Sequence, residues 1–324
     1  MGGGSYDRDV YSESSSSGWG SSSESSRFGT SEESERKMGT NTRMDTSLSP
    51  IGKIIVSHSK HPIIVILDVT GSNKAFARVV YDKMPMFYGQ IEQQGYLKDF
   101  DICFCAVGDT CYDDYPIQIT DFAKGITIDN WLEKVVLEGG GGPFGEESYE
   151  AMAYYLLENF EFDEDAKPIV FFIGDEICYS SVNSSDCAAL GISNFKGNST
   201  KTIFKKLREK LNENVFMLLN KACGESWHND IIEYWNDLLA PQHNIRIQEE
   251  KSIVDLMLGI IALCGKARTL DGYIDDMEAR EQTELRRKNV RTALDDLSKE
   301  LLPAVVIGDI PKSNGKTEKP GTRL

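Results

Sequence analysis

The sequence predicts a doubly wound α/β fold with a mostly parallel sheet and one antiparallel hairpin strand. Three observations carry that prediction. Apolar runs at residues 63–68, 101–108, Ile169–Gly174 and Val215–Leu219 have no polar face, so they read as strands buried on both sides. Longer stretches of helical period separate them, beginning with Lys74–Gln94. A short acidic turn at 109–114 joins the second run to an alternating one at 116–121, which is hairpin spacing and adds the antiparallel strand.

The remaining elements follow the same logic. Residues 129–137 and 148–159 read as helices flanking a glycine-rich loop, and the strand Ile169–Gly174 follows them. A polar loop then leads to helix 200–211, strand Val215–Leu219, helix Asn229–Leu239, a short strand at 245–247 and helix 252–264. The charged stretch 271–302 places Leu294, Leu297 and Leu301 along one side and an opposite-charge pair at Glu284 and Lys288, the pattern of one amphipathic helix. Such a helix either packs on the domain or docks a partner.

Residues 1–50 contain 15 Ser and 7 Gly, with Val10 and Leu48 as the only Ile, Leu or Val. That composition cannot offset the entropy of ordering, so a disordered tail is expected, with Ser clusters open to phosphorylation and Tyr6, Tyr11, Trp19 and Phe28 as weak docking points. The predicted division is a tail at 1–50, one domain at 51–268, the C-terminal helix at 269–303 and a flexible tail at 304–324.

Charge and cysteine content narrow the function. The 324 residues carry 35 Lys+Arg against 51 Asp+Glu, a net charge of −16. Long-range repulsion of that sign argues against a protein that grips nucleic acid by neutralising phosphates, and favours a divalent cation as small partner. The longest apolar run, 253–264, contains Asp255 and falls short of the roughly 20 residues that cross a bilayer. The N-terminus has no basic stretch followed by an apolar one, so neither a membrane partner nor secretion is expected. The 7 Cys show no regular spacing, and Cys103 and Cys105 fall on one face of a strand, as buried thiols do in a reducing cytoplasm.

In an open α/β sheet, ligands sit beyond the carboxyl ends of the strands. There the chain reads Asp68-Val69-Thr70-Gly71-Ser72-Asn73, immediately before a helix. One carboxylate and two hydroxyls at i, i+2 and i+4 on a turn loosened by Gly71 offer hard oxygen ligands to Mg²⁺, with Mn²⁺ or Ca²⁺ as alternatives. A second carboxylate, Asp175, follows the strand Ile169–Gly174, so two acids from two strand ends share one crevice.

These residues resemble the von Willebrand factor A-type domain with its metal-ion-dependent adhesion site, whose motif is Asp-x-Ser-x-Ser, a Thr in a later loop and an Asp after the fourth strand. Asp68, Thr70 and Ser72 match the first element, with Thr in place of the first Ser, and Asp175 matches the last. The resemblance implies a Rossmann-like fold over roughly residues 51–265. It further implies that Thr70 and Ser72 ligate the metal directly while Asp68 and Asp175 hold metal-bound waters. Asp-Val-Thr-Gly-Ser looks particularly like the subgroup found beside alpha-kinase domains, although no kinase domain is visible.

The middle element departs from the pattern. Residues 138–148 read Glu-Gly-Gly-Gly-Gly-Pro-Phe-Gly-Glu-Glu-Ser, with no Thr. The similar acid-containing glycine loop of the alpha-kinase-associated subgroup implies that Glu146 lies near the metal. A carboxylate there raises affinity for the cation and reduces the residual positive charge with which a hydroxyl-rich site captures a partner's acid.

Other motifs are weaker. The glycines at 139–145 lack a following Gly-Lys-Ser/Thr and precede Glu146 and Glu147, which repel phosphate. Ser72, Asp68 and His58 are triad residue types without a Gly-x-Ser-x-Gly elbow, and His58 belongs at the opposite end of the strand. His58 and His61 read as surface residues, and His228 and His243 as exposed loop residues. The tip residues Asp109, Asp113 and Asp114 read as a solvated turn that repels acidic partners or holds a weaker cation. The expected function is a non-catalytic, metal-binding protein-interaction module. By resemblance its partner is an AAA+ ATPase or chaperone-like complex. The rivals are a metal-dependent phosphoesterase using Asp68 and Asp175, and an RNA-associated scaffold.

Overall fold

The computed structural model describes residues 41–143, 145–193, 195, 197–221 and 228–301. Its first half contains β1 (Ile55–Ser57), β2 (His61–Asp68), α1 (Lys74–Gln94), β3 (Phe100–Val107), β4 (Ile117–Ile119), α2 (Thr127–Leu132), β5 (Glu146–Glu147) and α3 (Tyr149–Asn159). The second half contains β6 (Phe160–Phe162), β7 (Ile169–Gly174), β8 (Ile177–Cys178), α4 (Ser184–Leu190), α5 (Thr200–Lys210), β9 (Val215–Leu219), α6 (Asn229–Leu239), β10 (Asn244–Arg246), α7 (Ile253–Cys264), α8 (Leu270–Ala279) and α9 (Glu284–Leu301).

The central sheet has the order β10-β9-β7-β2-β3-β4, parallel throughout except for the β3–β4 hairpin. Two helix layers cover it because the two-residue period of each strand sends alternate side chains to opposite faces. Ile63, Val65 and Leu67 of β2, with Phe171 of β7, face α1, α2, α7, α8 and α9. Ile64 and Ile66, with Phe172, face α3, α5 and α6. Burying each such side chain contributes about 1.5–3 kcal/mol relative to leaving it in water, and this sandwich is what makes the doubly wound arrangement stable. At the end of α1, Gly95 takes φ 68° and its N–H caps the carbonyls of Ile91 and Glu92.

Several elements depart from the sequence reading. Residues 41–50, expected in the tail, form a 3-10 turn at Thr46–Leu48 capped by Asp45, and Leu48 enters the core. Residues 1–40, with the tail's aromatic residues, and residues 302–324 lie outside the described residues. β4 is shorter than expected and buried on both faces, and α2 stops at Leu132. Two parallel pairs of very short strands, β1 with β6 and β5 with β8, lie outside the main sheet. The polar loop after β7 contains α4, started by a reciprocal capping box between Asn183 and Asp186.

The single C-terminal helix expected at 269–303 is two, α8 and α9, broken where Glu281 takes φ 61°. Neither Gly nor Pro marks that corner. It is held by Arg280, whose buried guanidinium donates to Tyr96 Oη at 3.1 Å. Val290, Leu294 and Leu297 of α9 are buried against the domain, which realises the packed alternative. Among the described residues no helix is long and apolar enough to cross a membrane.

The C-terminus of α3 is closed by a side chain from α5. Lys210 Nζ donates to the carbonyls of Leu156, Leu157 and Phe160 at 3.3, 2.8 and 3.0 Å. Burial lowers its pKa, against the pull of Glu158 and Glu161. Lys210→Met keeps the stem and removes the donors, so it is expected to lower stability by about 1–2 kcal/mol in urea denaturation. A loss below the error of the measurement would show that water caps the helix equally well.

Candidate metal centre

At the carboxyl ends of β2 and β7, beside the turn after β3, the side chains of Asp68, Thr70, Ser72, Glu147 and Asp175 come together in the crevice that an open sheet forms there. Asp68, the last residue of β2, is completely buried. Its Oδ1 accepts from Thr70 N–H at 2.8 Å and from Thr70 Oγ1 at 2.7 Å, and its Oδ2 accepts from Tyr149 Oη at 2.9 Å. The Tyr149 ring packs edge-on against Trp235 and Phe172, with centroids 5.7 and 6.4 Å away. Opposite, Ser72 Oγ donates to Asp175 Oδ1 at 3.2 Å. The first and last motif elements therefore meet, as expected from their positions at two strand ends.

Uncharged groups tie these ends together. Asn73 Nδ2 donates to the Asp68 carbonyl at 3.0 Å, and Asn220 Nδ2 to Asn73 Oδ1 at 3.3 Å. The Asn220 N–H donates to the Gly174 carbonyl at 2.7 Å, joining β9 to β7.

The glycine loop folds over the crevice and is stitched from both sides. Gly71 N–H donates to Gly140 O at 2.6 Å, Gly139 N–H to Val69 O at 2.9 Å, and Gly141 N–H to Asp113 Oδ1 at 2.6 Å. Those inward donations are unlike a phosphate cradle, whose amides point at the ligand. A Cβ on Gly141 would meet Thr70 Cβ at 3.1 Å and Glu147 Oε1 at 3.4 Å, so glycine is what allows the loop to lie this close.

The acid of the loop that faces the crevice is Glu147. Neighbouring strand residues point to opposite faces, so β5 can direct only one of its two carboxylates inward. Glu147 is buried, and the charges of Asp68 and Asp109 and the neighbouring Thr70 bear on it. Glu146, the residue expected from the resemblance, is half-buried and lies in the electrostatic surroundings of the Cys178 thiol. The parity of a two-residue strand has no signature in the sequence.

The acidic turn is solvated only in part. Asp109 is fully buried, taking Cys111 N–H on Oδ1 at 2.8 Å and Tyr179 Oη on Oδ2 at 2.9 Å, while Asp113 Oδ2 takes Asp109 N–H at 2.8 Å. Backbone amides want acceptors when water is excluded, and these carboxylates supply them. Only Asp114 is exposed as expected. His58, with a side chain 80% exposed beside Asp163, is remote from Ser72, as predicted. His243 is corrected: it is buried, stacked on Phe216 at 4.8 Å, and contacts Val215 O and Glu300.

So many carboxyls in low dielectric resist ionisation. Burial, then the charge of Asp175, pushes Asp68 up to about 8, against the hydrogen bonds from Thr70 and Tyr149. Burial, then Asp68 and Asp109, pushes Glu147 up to about 10. Burial and Asp175 push Glu176 up to about 7. A cation in the crevice would reverse that pressure.

The donor set fits a hard divalent ion: two hydroxyls, several carboxylates, and a buried Glu147 Oε2 that has no hydrogen-bond partner among the described residues. No three His, Cys, Asp or Glu side chains among the described residues converge closely enough to hold a metal by themselves. The hydroxyls of Thr70 and Ser72 would therefore have to be part of any coordination shell.

No family model matches the chain, and no curated protein matches it. Among solved structures, the pilus adhesin SpaC from Lactobacillus rhamnosus GG, in an open conformation, overlaps 66% of this chain and 31% of its own at 12% identity and TM-score 0.44. Proximal thread matrix protein 1 from the mussel byssus, with a zinc-occupied MIDAS motif, overlaps 64% and 46% at 11% identity and TM-score 0.41. A von Willebrand factor type A structure from Catenulispora acidiphila overlaps 63% and 42% at 14% identity and TM-score 0.35. The chain spans less than half the length of each of these three proteins.

Proposed function

We propose that this chain is a non-catalytic, divalent-metal-binding protein-interaction module of the von Willebrand factor A type, acting in the cytoplasm. The observation that carries the reading is the meeting of Asp68, Thr70 and Ser72 from the end of β2 with Asp175 from the end of β7 in one crevice, all but Ser72 buried. Thr70 and Ser72 would bind Mg²⁺ or Mn²⁺ through their hydroxyls, and Asp68 and Asp175 would hold its waters. The ion would supply positive charge that lets the acids ionise together. The partner engaged by this face is a protein, of the AAA+ ATPase or chaperone-complex kind, and the glycine-rich loop favours the alpha-kinase-associated subgroup.

Calorimetric titration of the full chain with Mg²⁺ and Mn²⁺, beside Asp68→Ala, tests the metal. Saturable binding is expected for the parent and none for the variant, with the far-ultraviolet dichroism of the two alike. A parent that takes up neither ion would sink the proposal.

A further inference from the structure

The loop between the two halves of the motif carries the information about how the ion would be held. Glu147 is only 4% exposed, and its Oε2 finds no hydrogen-bond partner among the described residues. A buried polar atom left unmatched costs about 1–3 kcal/mol, more if charged, so an evolved core seldom keeps one without a use. Its carboxylate lies beside Thr70, whose hydroxyl donates to Asp68 Oδ1. Gly141 lies directly against both, since a Cβ there would meet Thr70 Cβ at 3.1 Å and Glu147 Oε1 at 3.4 Å.

Access points the same way. Asp68, Thr70, Asp109, Glu147 and Asp175 are all buried, and of the crevice set Ser72 alone is exposed. An ion that recruits a partner's carboxylate needs an open coordination position facing solvent. Here the solvent-facing member is a hydroxyl already assigned to the ion, and the carboxylate available inside is Glu147, which lies against Gly141 of the glycine loop.

We infer that Glu147 is a direct ligand of the divalent ion, supplying from within the chain the carboxylate that an adhesion-type site takes from its partner. The inference rests on the metal-binding reading above. On this reading Asp68 and Asp175 would hold the ion's waters, as in the function proposed above, and need not touch it. It follows too that the ion organises the glycine loop and the acidic turn, and that a protein partner reads this shaped surface without touching the metal.

The test is Mn²⁺ binding by the full chain, followed by calorimetry and by the loss of the free-ion electron paramagnetic resonance signal, in parent, Glu147→Gln, Glu147→Ala, Glu146→Gln and Asp68→Ala proteins. Glu147→Gln is expected to weaken binding by at least about tenfold, as loss of a metal-site carboxylate does, while Glu146→Gln leaves it unchanged. Added acetate should tighten Mn²⁺ binding to Glu147→Ala, by refilling the vacated position, and leave the parent unaffected. Parent-like binding by Glu147→Gln, with Asp68→Ala inactive, would overturn this inference and leave the metal site standing. Acetate that tightens binding to the parent would overturn it as well, because it would show an open position. A parent that binds no Mn²⁺ would overturn both.

Discussion

Asp255→Ala is expected to lower the stability of the chain by about 3–5 kcal/mol in urea denaturation, the largest stability loss foreseen here. Asp255 lies at the start of α7 with no solvent exposure, and two guanidiniums reach it: Arg280 at 3.7 Å and Arg286 at 3.9 Å. Arg280 forms the corner between α8 and α9 and is 2% exposed. Arg286 also binds Glu249 at 2.6 Å and Gln282 at 2.9 Å. The Tyr273 hydroxyl closes the same region by donating to the Asp255 carbonyl. Truncation would take from the buried Arg280 the carboxylate paired with it, while Arg286 keeps Glu249, and breaking a buried pair from one side costs far more than the pair gained by forming. Lys299 provides the control, since its pairs with Asp295 and Asp296 are solvent-exposed and screened, and contribute little to stability. If Asp255→Ala costs no more than Lys299→Ala, the charge cluster does not fasten α8 and α9 to the domain.

Gly174→Ala is the second large effect, an expected loss of about 3 kcal/mol from overpacking. A Cβ at this position would fall on the Tyr149 hydroxyl, with Tyr149 Cζ at 2.8 Å and Asp68 Cβ at 3.1 Å. The Tyr149 ring cannot retreat, because Trp235 and Phe172 hold it from behind. The hydrogen bond from Tyr149 to Asp68 Oδ2 would be lost with it, so the variant should also bind Mn²⁺ more weakly. The double variant Gly174→Ala/Tyr149→Phe separates the two effects. Removing the hydroxyl should recover part of the stability and none of the metal affinity. A Gly174→Ala protein as stable as the parent would mean that the strand end yields more readily than the packing indicates.

The parts of this molecule that were legible in the sequence are those governed by long apolar patterns. The strands Ile169–Gly174 and Val215–Leu219 and the helices Lys74–Gln94 and Asn229–Leu239 stand where hydrophobic periodicity puts them, because burial on both faces leaves no competing arrangement. Asp68 and Asp175 could be found because the ends of such strands are found with them. What escaped is local and small. Strands of two or three residues have no periodicity, which hid β5 and with it the choice between Glu146 and Glu147. Tyr149 reads as one more core aromatic until its hydroxyl is seen against Asp68. Asp109 and His243 look like solvent-facing polar residues because sequence does not show which backbone groups will need acceptors inside. The corner at Glu281 is set by a tertiary ion cluster, which no turn signal announces.

The amides of Asn73 and Asn220 give the crevice a property that its acids alone could not. They join β2, β7 and β9 through groups that neither gain nor lose protons over the ordinary pH range. The acids around them do change charge, whether by proton or by cation. What keeps the strand ends in register is thus chemically separate from what sets the charge between them. Protonation of those acids, or the cation proposed above, would alter the charge this face presents while the sheet beneath it holds its shape.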